Sequence, residues 1–113
     1  MTNDDDILTI LGDEYSRMIL VILEKNELNA QEISNRLGIP TSTTYRKIKS
    51  LEGFDMIKKT KVVRTQEGLD ESYYRSLVSG IEIKFKDGKI SCKVEKFTMD
   101  QKIQRLWEKF SDK

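Results

Sequence analysis

The first half of the chain places apolar residues at three- and four-residue steps, the spacing of helices that bury one face. This spacing predicts four helices, over residues 4–11, 13–25, 30–37 and 41–52. In the second helix we expect a buried stripe made by Tyr15, Ile19, Ile22 and Leu23. Three consecutive aspartates open the first helix, where they stabilise the positive end of its dipole, and we interpret them as capping residues rather than as a metal site.

The third and fourth predicted helices have the spacing of a helix-turn-helix. Asn29 and Glu32 form a capping-box pattern, in which each side chain accepts from a free amide of the first turn. Gly38 suits the left-handed conformation that ends a helix, Ile39 can fill the turn, and Pro40 tolerates the start of the next helix. The turn is therefore three or four residues long.

The fourth predicted helix separates an apolar face from a polar one. Thr44, Ile48 and Leu51 share the face that we expect to be buried. The outward side and the helix start carry hydroxyls and cations, which bind phosphates and base edges. These candidate DNA-binding residues are Thr41, Ser42, Thr43, Tyr45, Arg46 and Lys49. The alternative is a solvated polar face on an ordinary helical hairpin.

After this helix the pattern changes to strands. Residues 56–65 and 73–78 are predicted strands, joined by a turn over residues 66–72 that contains Gly68. A hairpin directly after a recognition helix is a wing, which approaches the DNA backbone. Its candidate phosphate-binding residues are Lys58, Lys59, Lys61 and Arg64. The predicted tip is acidic, with Glu67, Asp70 and Glu71, so we do not expect it to enter the minor groove.

Residues 81–94 predict a second hairpin, because two alternating runs are joined by Asp87-Gly88, a dipeptide that favours type I′ turns. Pairing about this turn gives a complete register, with Glu82 opposite Lys93 on the polar face. The apolar pairs are Phe85 with Ile90, Ile83 with Cys92 and Ile81 with Val94. Cys92 is therefore expected to be a small buried side chain, and a bend is expected at Gly80.

A last helix is predicted after a second capping box, Thr98 with Gln101. Its apolar residues need a cover, which is the chain's own second hairpin, another subunit together with the first helix, or both if the stripe is shared. The candidate dimerisation residues are Ile7, Leu8, Leu11, Met99, Ile103, Leu106, Trp107 and Phe110.

The composition limits the possible chemistry. The chain of 113 residues has one cysteine and no histidine, so we expect no internal disulfide, no metal site, no cofactor and no enzyme activity. Residues 41–64 hold seven basic and two acidic side chains, a local net charge of +5, whereas residues 1–40 have a net charge of −5. The basic segment coincides with the helix-turn-helix and the wing, as expected for binding to a polyanion.

Residues 11 to about 78, with GIPTSTTYR at 38–46, resemble the ArsR-type winged-helix regulators, especially archaeal ones with a GIP-x-S-T-x-Y-R recognition helix. The resemblance implies a dimeric transcription regulator that presents Ser42, Thr43, Tyr45 and Arg46 to DNA. Metal-sensing members of that family need a cysteine pair on the recognition helix or His and Asp ligands on the last helix. Asp100 alone does not supply such a site, so metal sensing is not expected.

We therefore predict an α+β fold, a winged helix-turn-helix over residues 1–78, extended over residues 79–113 by a β-hairpin and a terminal dimerisation helix. The predicted function is that of a homodimeric, sequence-specific regulator that binds double-stranded DNA. The alternative is a winged-helix protein-interaction module without DNA binding, since a fold alone does not determine function. The acidic start and the short apolar runs indicate a cytoplasmic protein without a membrane segment. No residue points to a particular effector.

Overall fold

The elements of the chain follow each other as helices, a wing, a second hairpin and a final helix. The computed structural model describes residues 4–111, with the side chains of residues 4–108. The helices are α1 (Asp4–Gly12), α2 (Glu14–Lys25), α3 (Ala30–Leu37), α4 (Thr41–Gly53) and α5 (Met99–Ser111). The strands are β1 (Leu28–Asn29), β2 (Ile57–Arg64), β3 (Asp70–Ser76), β4 (Val78–Lys86) and β5 (Lys89–Lys96). This order confirms the predicted fold class.

Local capping residues set the helix boundaries where the sequence predicts them. Asn29 Oδ1 accepts from the Glu32 amide at 2.8 Å, while Glu32 Oε1 accepts from the Asn29 amide at 3.1 Å. Gly38 ends α3 in the left-handed conformation with φ 67°, and Ile39 is buried in the turn. Thr98 and Gln101 likewise form the predicted capping box before α5.

The core is formed by α1, α2, α3, α4 and the base of the wing, and its most buried large residues are Ile19, Leu23, Ile33, Leu51, Met56 and Ile57. The predicted stripe of α2 is wrong at one position. Tyr15 is 39% exposed, and Ser16 is buried in its place beside Ile19 and Leu23. Ser16, Ile19 and Leu23 lie within about 60° of one another around the helix, whereas Tyr15 lies outside this arc, about 100° from Ser16.

The wing belongs to a three-stranded antiparallel sheet in the order β1-β3-β2. The two-residue strand β1 is not apparent from the sequence and pairs Leu28 with Tyr74 and Asn29 with Tyr73. The prediction for β3 is wrong at both ends, since the strand runs Asp70–Ser76 rather than 73–78. Pairing of Asp70 with Arg64 extends the ladder outward, so that residues 65–69 form the loop.

The second hairpin has the predicted register. Phe85 pairs with Ile90, Ile83 with Cys92, Ile81 with Val94 and Glu82 with Lys93. Asp87 and Gly88 both have positive φ, 54° and 73°, as a type I′ turn requires.

Cys92 is half-buried, and its amide donates to Asp4 Oδ1 at 3.3 Å, which ties β5 to the start of α1. Burial, together with the carboxylates of Asp4 and Asp5, raises the pKa of the Cys92 thiol, which disfavours the reactive thiolate form.

Within residues 4–111, no helix is long and apolar enough to cross a membrane. The described residues also contain no cluster of three or more histidine, cysteine, aspartate or glutamate side chains that could hold a metal ion.

Candidate nucleic-acid interface

The buried side of α4 holds the helix firmly against the core. Thr44, Ile48 and Leu51 are at most 2% exposed, as the sequence predicts. The Thr44 hydroxyl donates to the Pro40 carbonyl at 3.0 Å, so this buried polar group is satisfied within the helix start. In the turn, the Ser34 hydroxyl donates to the Ile39 carbonyl and lies 3.3 Å from the Thr41 hydroxyl. The angle between α3 and α4 is therefore set by packing and by polar contacts.

The opposite side of α4 is open and carries the predicted DNA-binding groups. Tyr45 is 56% exposed, Arg46 and Lys49 are exposed, and Thr43 is half-buried. Arg46 and Lys49 are three residues apart and so lie on the same side of the helix. Within residues 4–108, no hydrogen bond or ion pair joins either cation to another side chain. Both cations can therefore bind a ligand without breaking an internal contact.

The third cation of α4, Lys47, is used inside the chain. Its Nζ lies 3.1 Å from Asp13 Oδ2, and Asp13 also accepts from the amide and the hydroxyl of Ser16. These hydrogen bonds from Ser16, assisted by Lys47, lower the pKa of Asp13. Asp13 thus caps α2 and joins it to α4.

The start of α4 differs from the starts of the preceding helices. The first turns of α1, α2 and α3 each contain at least one acidic residue, but the first turn of α4 contains none. Pro40 precedes the helix, and none of the described side chains caps it. The amides of the first turn and the positive end of the helix dipole are therefore available to an anion.

A register shift in the wing divides its four predicted cations between two faces. Lys58 pairs with Arg75 and Lys59 with Tyr74, but after the shift Lys61 pairs with Tyr73. Since directly paired residues share a face, Lys58 and Lys61 lie on one face and Lys59 on the other. By the same rule, Arg64 shares the face of its partner Asp70, which is also the face of Tyr74.

The two faces have different surroundings. On one face, Lys61 Nζ lies 3.3 Å from Glu27 Oε1 and 4.7 Å from the ring centre of Tyr73. On the other face, Asp70, Ser72 and Tyr74 border a cavity of about 90 Å³ that also touches Tyr45 of α4, and Glu71 of the first face borders this cavity as well. Three of the four β3 residues at this cavity therefore lie on the face of Lys59 and Arg64.

The predicted acidic wing tip needs correction. Glu67 lies in the loop, but Asp70 and Glu71 belong to β3 and have partners. Arg64 Nε lies 3.5 Å from Asp70 Oδ1, and Glu71 Oε2 accepts from Asn29 Nδ2 at 2.9 Å. The Asn29–Glu71 contact joins residues 42 positions apart, so no local pattern could predict it.

The candidate dimerisation residues of α1 and α5 have different environments. In α1, Ile7 is only 3% exposed within its own subunit, while Leu8 and Leu11 are half-buried. The candidate residues of α5 are between 49% and 69% exposed: Met99, Ile103, Leu106 and Trp107. Phe110 lies outside the described side chains. The expected alternative, that the chain's own hairpin covers this face of α5, is therefore wrong.

Arginine contacts that the sequence does not indicate attach α5 to the winged helix. Arg105 Nη1 donates to the carbonyls of Glu24 at 3.3 Å and Ser76 at 3.2 Å, and its guanidinium lies 3.9 Å from the ring centre of Phe97. Arg75, which lies in β3, also donates to the Glu24 carbonyl. Burial lowers the pKa of both guanidinium groups. The two arginines neutralise the negative end of α2.

An open groove of about 320 Å³ lies beside this attachment, and Glu24 and Ser76 form part of its wall. Its apolar wall consists of Leu11, Leu20, Val21, Val78 and Ile81. Arg105 lies about 160° around α5 from Ile103 and Trp107, so the attachment and the exposed stripe are on opposite sides of this helix.

Three solved structures have the same fold. The reduced form of HlyU from Vibrio cholerae is 17% identical with a TM-score of 0.53, and the alignment covers 96% of this chain and 87% of that chain. NolR from Sinorhizobium fredii is 19% identical with a TM-score of 0.53, and the alignment covers 66% and 69% of the two chains. A possible transcriptional regulator from Methanosarcina mazei is 14% identical with a TM-score of 0.52, covering 96% and 79%. At these identities the likeness shows the fold alone.

No curated protein matches the chain. A family model does match it, over residues 14–78, and its description is sugar-specific transcriptional regulator TrmB. The matched segment is more than half of the chain and contains α2, the helix-turn-helix and the wing. This match confirms the expectation of a winged helix-turn-helix transcription regulator that is not an enzyme, but it does not show membership of the ArsR type. The chain belongs to the TrmB family, and it is a DNA-binding transcription regulator of the winged-helix type.

Proposed function

We propose that the protein acts as a homodimer that binds specific DNA sequences, with α4 in the major groove and the wing on the backbone. The observation that carries the proposal is the open side of α4, where Arg46 and Lys49 are exposed beside hydroxyl groups and form no ion pair with any described side chain. An arginine in this position can make a bidentate contact to guanine, and the hydroxyls can bind phosphates or base edges. The motif resemblance to ArsR-type regulators supports the same residues.

The start of α4 supports a phosphate contact at the edge of the groove. Its first-turn amides have no side-chain cap and no neighbouring acid within the turn. Thr41 and Ser42 are exposed there and can add hydroxyl donors. A DNA phosphate would be favoured at this end of the helix by the dipole and by the amides together.

In the wing, the arrangement of the strands favours Lys59 and Arg64 as backbone contacts. Both lie on the face of Tyr74, which borders the cavity beside Tyr45. Lys58 and Lys61 lie on the other face of the hairpin. We therefore expect Lys59 to contribute more to DNA affinity than its neighbour Lys58.

The proposed dimer uses the C-terminal extension, residues 79–113, together with α1. The proposal rests on the exposed apolar stripe of α5, which lies on the side of that helix away from its attachment at Arg105. A second copy would bury this surface symmetrically. Two recognition helices would then contact half-sites about 10 base pairs apart.

The first test is fluorescence anisotropy of labelled promoter and random-sequence duplexes over a salt series. The wild type is expected to bind with an affinity that falls steeply with salt. Arg46→Ala should weaken binding to a selected operator by about 10- to 100-fold and reduce its preference over random sequence. Arg46→Glu should weaken binding further, because it places a negative charge toward DNA. The control is Lys89→Glu, which makes the same change of charge at an exposed position on the second hairpin and should bind more tightly than Arg46→Glu.

The wing is tested by Lys59→Ala against Lys58→Ala, two neighbouring substitutions with the same change of charge. Lys59→Ala should weaken binding to all sequences alike and reduce the slope of log affinity against log salt by about one for each lost phosphate contact. Equal effects of the two substitutions would contradict the assignment of faces.

A protein-interaction module remains the second candidate, and the observation in its favour is the apolar surface of the extension. Ile83, Phe85 and Ile90 of the second hairpin are between 41% and 72% exposed, in addition to the stripe of α5. This candidate predicts no salt-dependent affinity for duplex DNA even at low salt. The word sugar in the family description adds no ligand to the proposal, because the match ends at residue 78 and covers the winged helix alone.

A further inference from the structure

The outer part of the wing is attached to the rest of the protein at few points. β3 pairs with β1 only at Tyr73 and Tyr74, and beyond them the hairpin has β2 as its ladder partner. Glu71 stands two residues beyond Tyr73 toward the loop. Among the described contacts, its hydrogen bond to Asn29 is the outermost side-chain bond between the wing and the helix-turn-helix.

The side-chain amide of Asn29 makes one hydrogen bond to the helix-turn-helix and one to the wing. Its oxygen accepts from the Glu32 amide at 2.8 Å and caps α3, while its nitrogen donates to Glu71 Oε2 at 2.9 Å. The residue is 7% exposed, and its backbone pairs with Tyr73. The Asn29 side chain therefore joins the start of the helix-turn-helix to the outer wing.

A carboxylate at this place is unfavourable for binding DNA. Glu71 borders the same cavity as Tyr45 of the recognition helix, and its charge opposes nearby phosphates. The hydrogen bond to Asn29 gives Glu71 a structural role in the wing, which its negative charge alone does not give it.

We infer that Glu71 is a positioning residue, which holds the outer wing against the helix-turn-helix so that Lys59 and Arg64 stand at the right distance from α4 for the DNA backbone. The inference rests on the proposed function, in which the wing contacts phosphates.

Four variants separate the bond from the charge. Glu71→Gln and Glu71→Ala both remove the negative charge, but only glutamine keeps an oxygen that can accept from Asn29. Asn29→Asp keeps a good helix cap but places a second carboxylate against Glu71. The double variant Asn29→Asp with Glu71→Gln restores a hydrogen bond with donor and acceptor exchanged, and it has the net charge of the wild type.

The position of the wing is measured without DNA, by the distance between spin labels at Glu67→Cys in the loop and Arg36→Cys on α3, in a Cys92→Ser background. Labelled protein is diluted with unlabelled protein so that each distance belongs to one subunit. The distribution of label distances is expected to be narrow in the labelled protein that keeps Asn29 and Glu71, in Glu71→Gln and in the double variant. It is expected to be broader in Glu71→Ala and in Asn29→Asp. Equal widths in all of them would overturn the inference whether or not the protein binds DNA.

DNA affinity over a salt series gives the second readout, with thermal unfolding to verify that each variant is folded. Glu71→Gln should bind at least as tightly as the wild type, whereas Glu71→Ala should lose about one or two phosphate contacts from its salt slope. The same slope in both variants would mean that Glu71 acts through charge alone, which would overturn the inference. No DNA binding by the wild type would contradict the proposed function, while the label distances would still decide whether Glu71 positions the wing.

Discussion

The helices α4 and α5 have 13 residues each and expose opposite kinds of surface. α4 buries three residues in the core and exposes hydroxyls and cations. None of the described side chains of α5 is buried, and its exposed residues include four large apolar ones. α4 thus offers a polar, cationic surface to a partner, and α5 offers an apolar one.

The difference indicates what each surface binds. Exposed cations on a rigidly packed helix gain little from another protein's apolar face, but they suit a polyanion whose counterions they displace. A contiguous apolar stripe is stabilised when it is buried away from water, and it makes no favourable contact with phosphate. We therefore assign the polar surface of α4 to DNA and the apolar surface of α5 to a second subunit.

The largest expected effect tests the contrast in burial. Ile48→Ala on α4 removes a side chain that is 2% exposed, and it should lower the free energy of unfolding by about 2–5 kcal/mol. Leu106→Ala on α5 removes a side chain that is 56% exposed, and it should change the stability of the monomer by about 0.5 kcal/mol or less. Urea unfolding at low protein concentration measures both, and similar losses would show that α5 is packed within its own subunit.

The second prediction addresses the apolar surface itself. Leu106→Glu places a charge in the stripe, so the dimer should dissociate and operator affinity should fall by about 100-fold as the two half-sites are no longer bound together. Lys102→Glu on the same helix, at an exposed position, is the control. Sedimentation velocity gives the oligomeric state. A wild type that is monomeric at every concentration would rule out the dimer, and a dimer that survives Leu106→Glu would place its interface elsewhere.

The features that could be predicted from the sequence are those whose determinants are neighbours in the chain. The capping box of Asn29 with Glu32, the turn at Gly38 and the hairpin at Asp87-Gly88 each depend on residues within four positions of one another. The helical repeat likewise identified the buried and exposed sides of α4.

The features that could not be predicted depend on distant or irregular contacts. Asn29 binds Glu71 across 42 positions, and Arg105 binds the Glu24 carbonyl across 81. In the wing, one extra residue at the register shift moves Lys61 to the face opposite Lys59, so counting alternate positions from the sequence gives the wrong face. The assignment of individual residues to DNA or to a dimer stays a prediction.

The third prediction uses the different helix starts. Ser42→Glu adds an acid to the first turn of α4, which has none, and should raise the free energy of unfolding by about 0.3–1 kcal/mol. The same charge would stand where we place a DNA phosphate, so DNA affinity should fall by about tenfold or more. Gln101→Glu adds an acid to α5 within its capping box and should leave DNA affinity nearly unchanged. Unchanged affinity in Ser42→Glu would contradict a phosphate at this end of α4.

The smallest expected effect concerns Lys47, the cation of α4 that faces inward. Its partner Asp13 has a lowered pKa, so the charged form of Asp13 contributes stability above the pKa of the unfolded chain, near 3.8, and this contribution is lost as the pH falls through the folded pKa. Asp13→Asn keeps a good cap for α2 and removes the charge. It should lower the free energy of unfolding by less than about 1 kcal/mol at pH 7, since the pair is partly exposed, and by less at pH 2 than at pH 7. Urea unfolding at both values measures the change, with Glu108→Gln on α5 as the control, and an equal loss at pH 7 and pH 2 would show that Asp13 acts only through its uncharged hydrogen bonds.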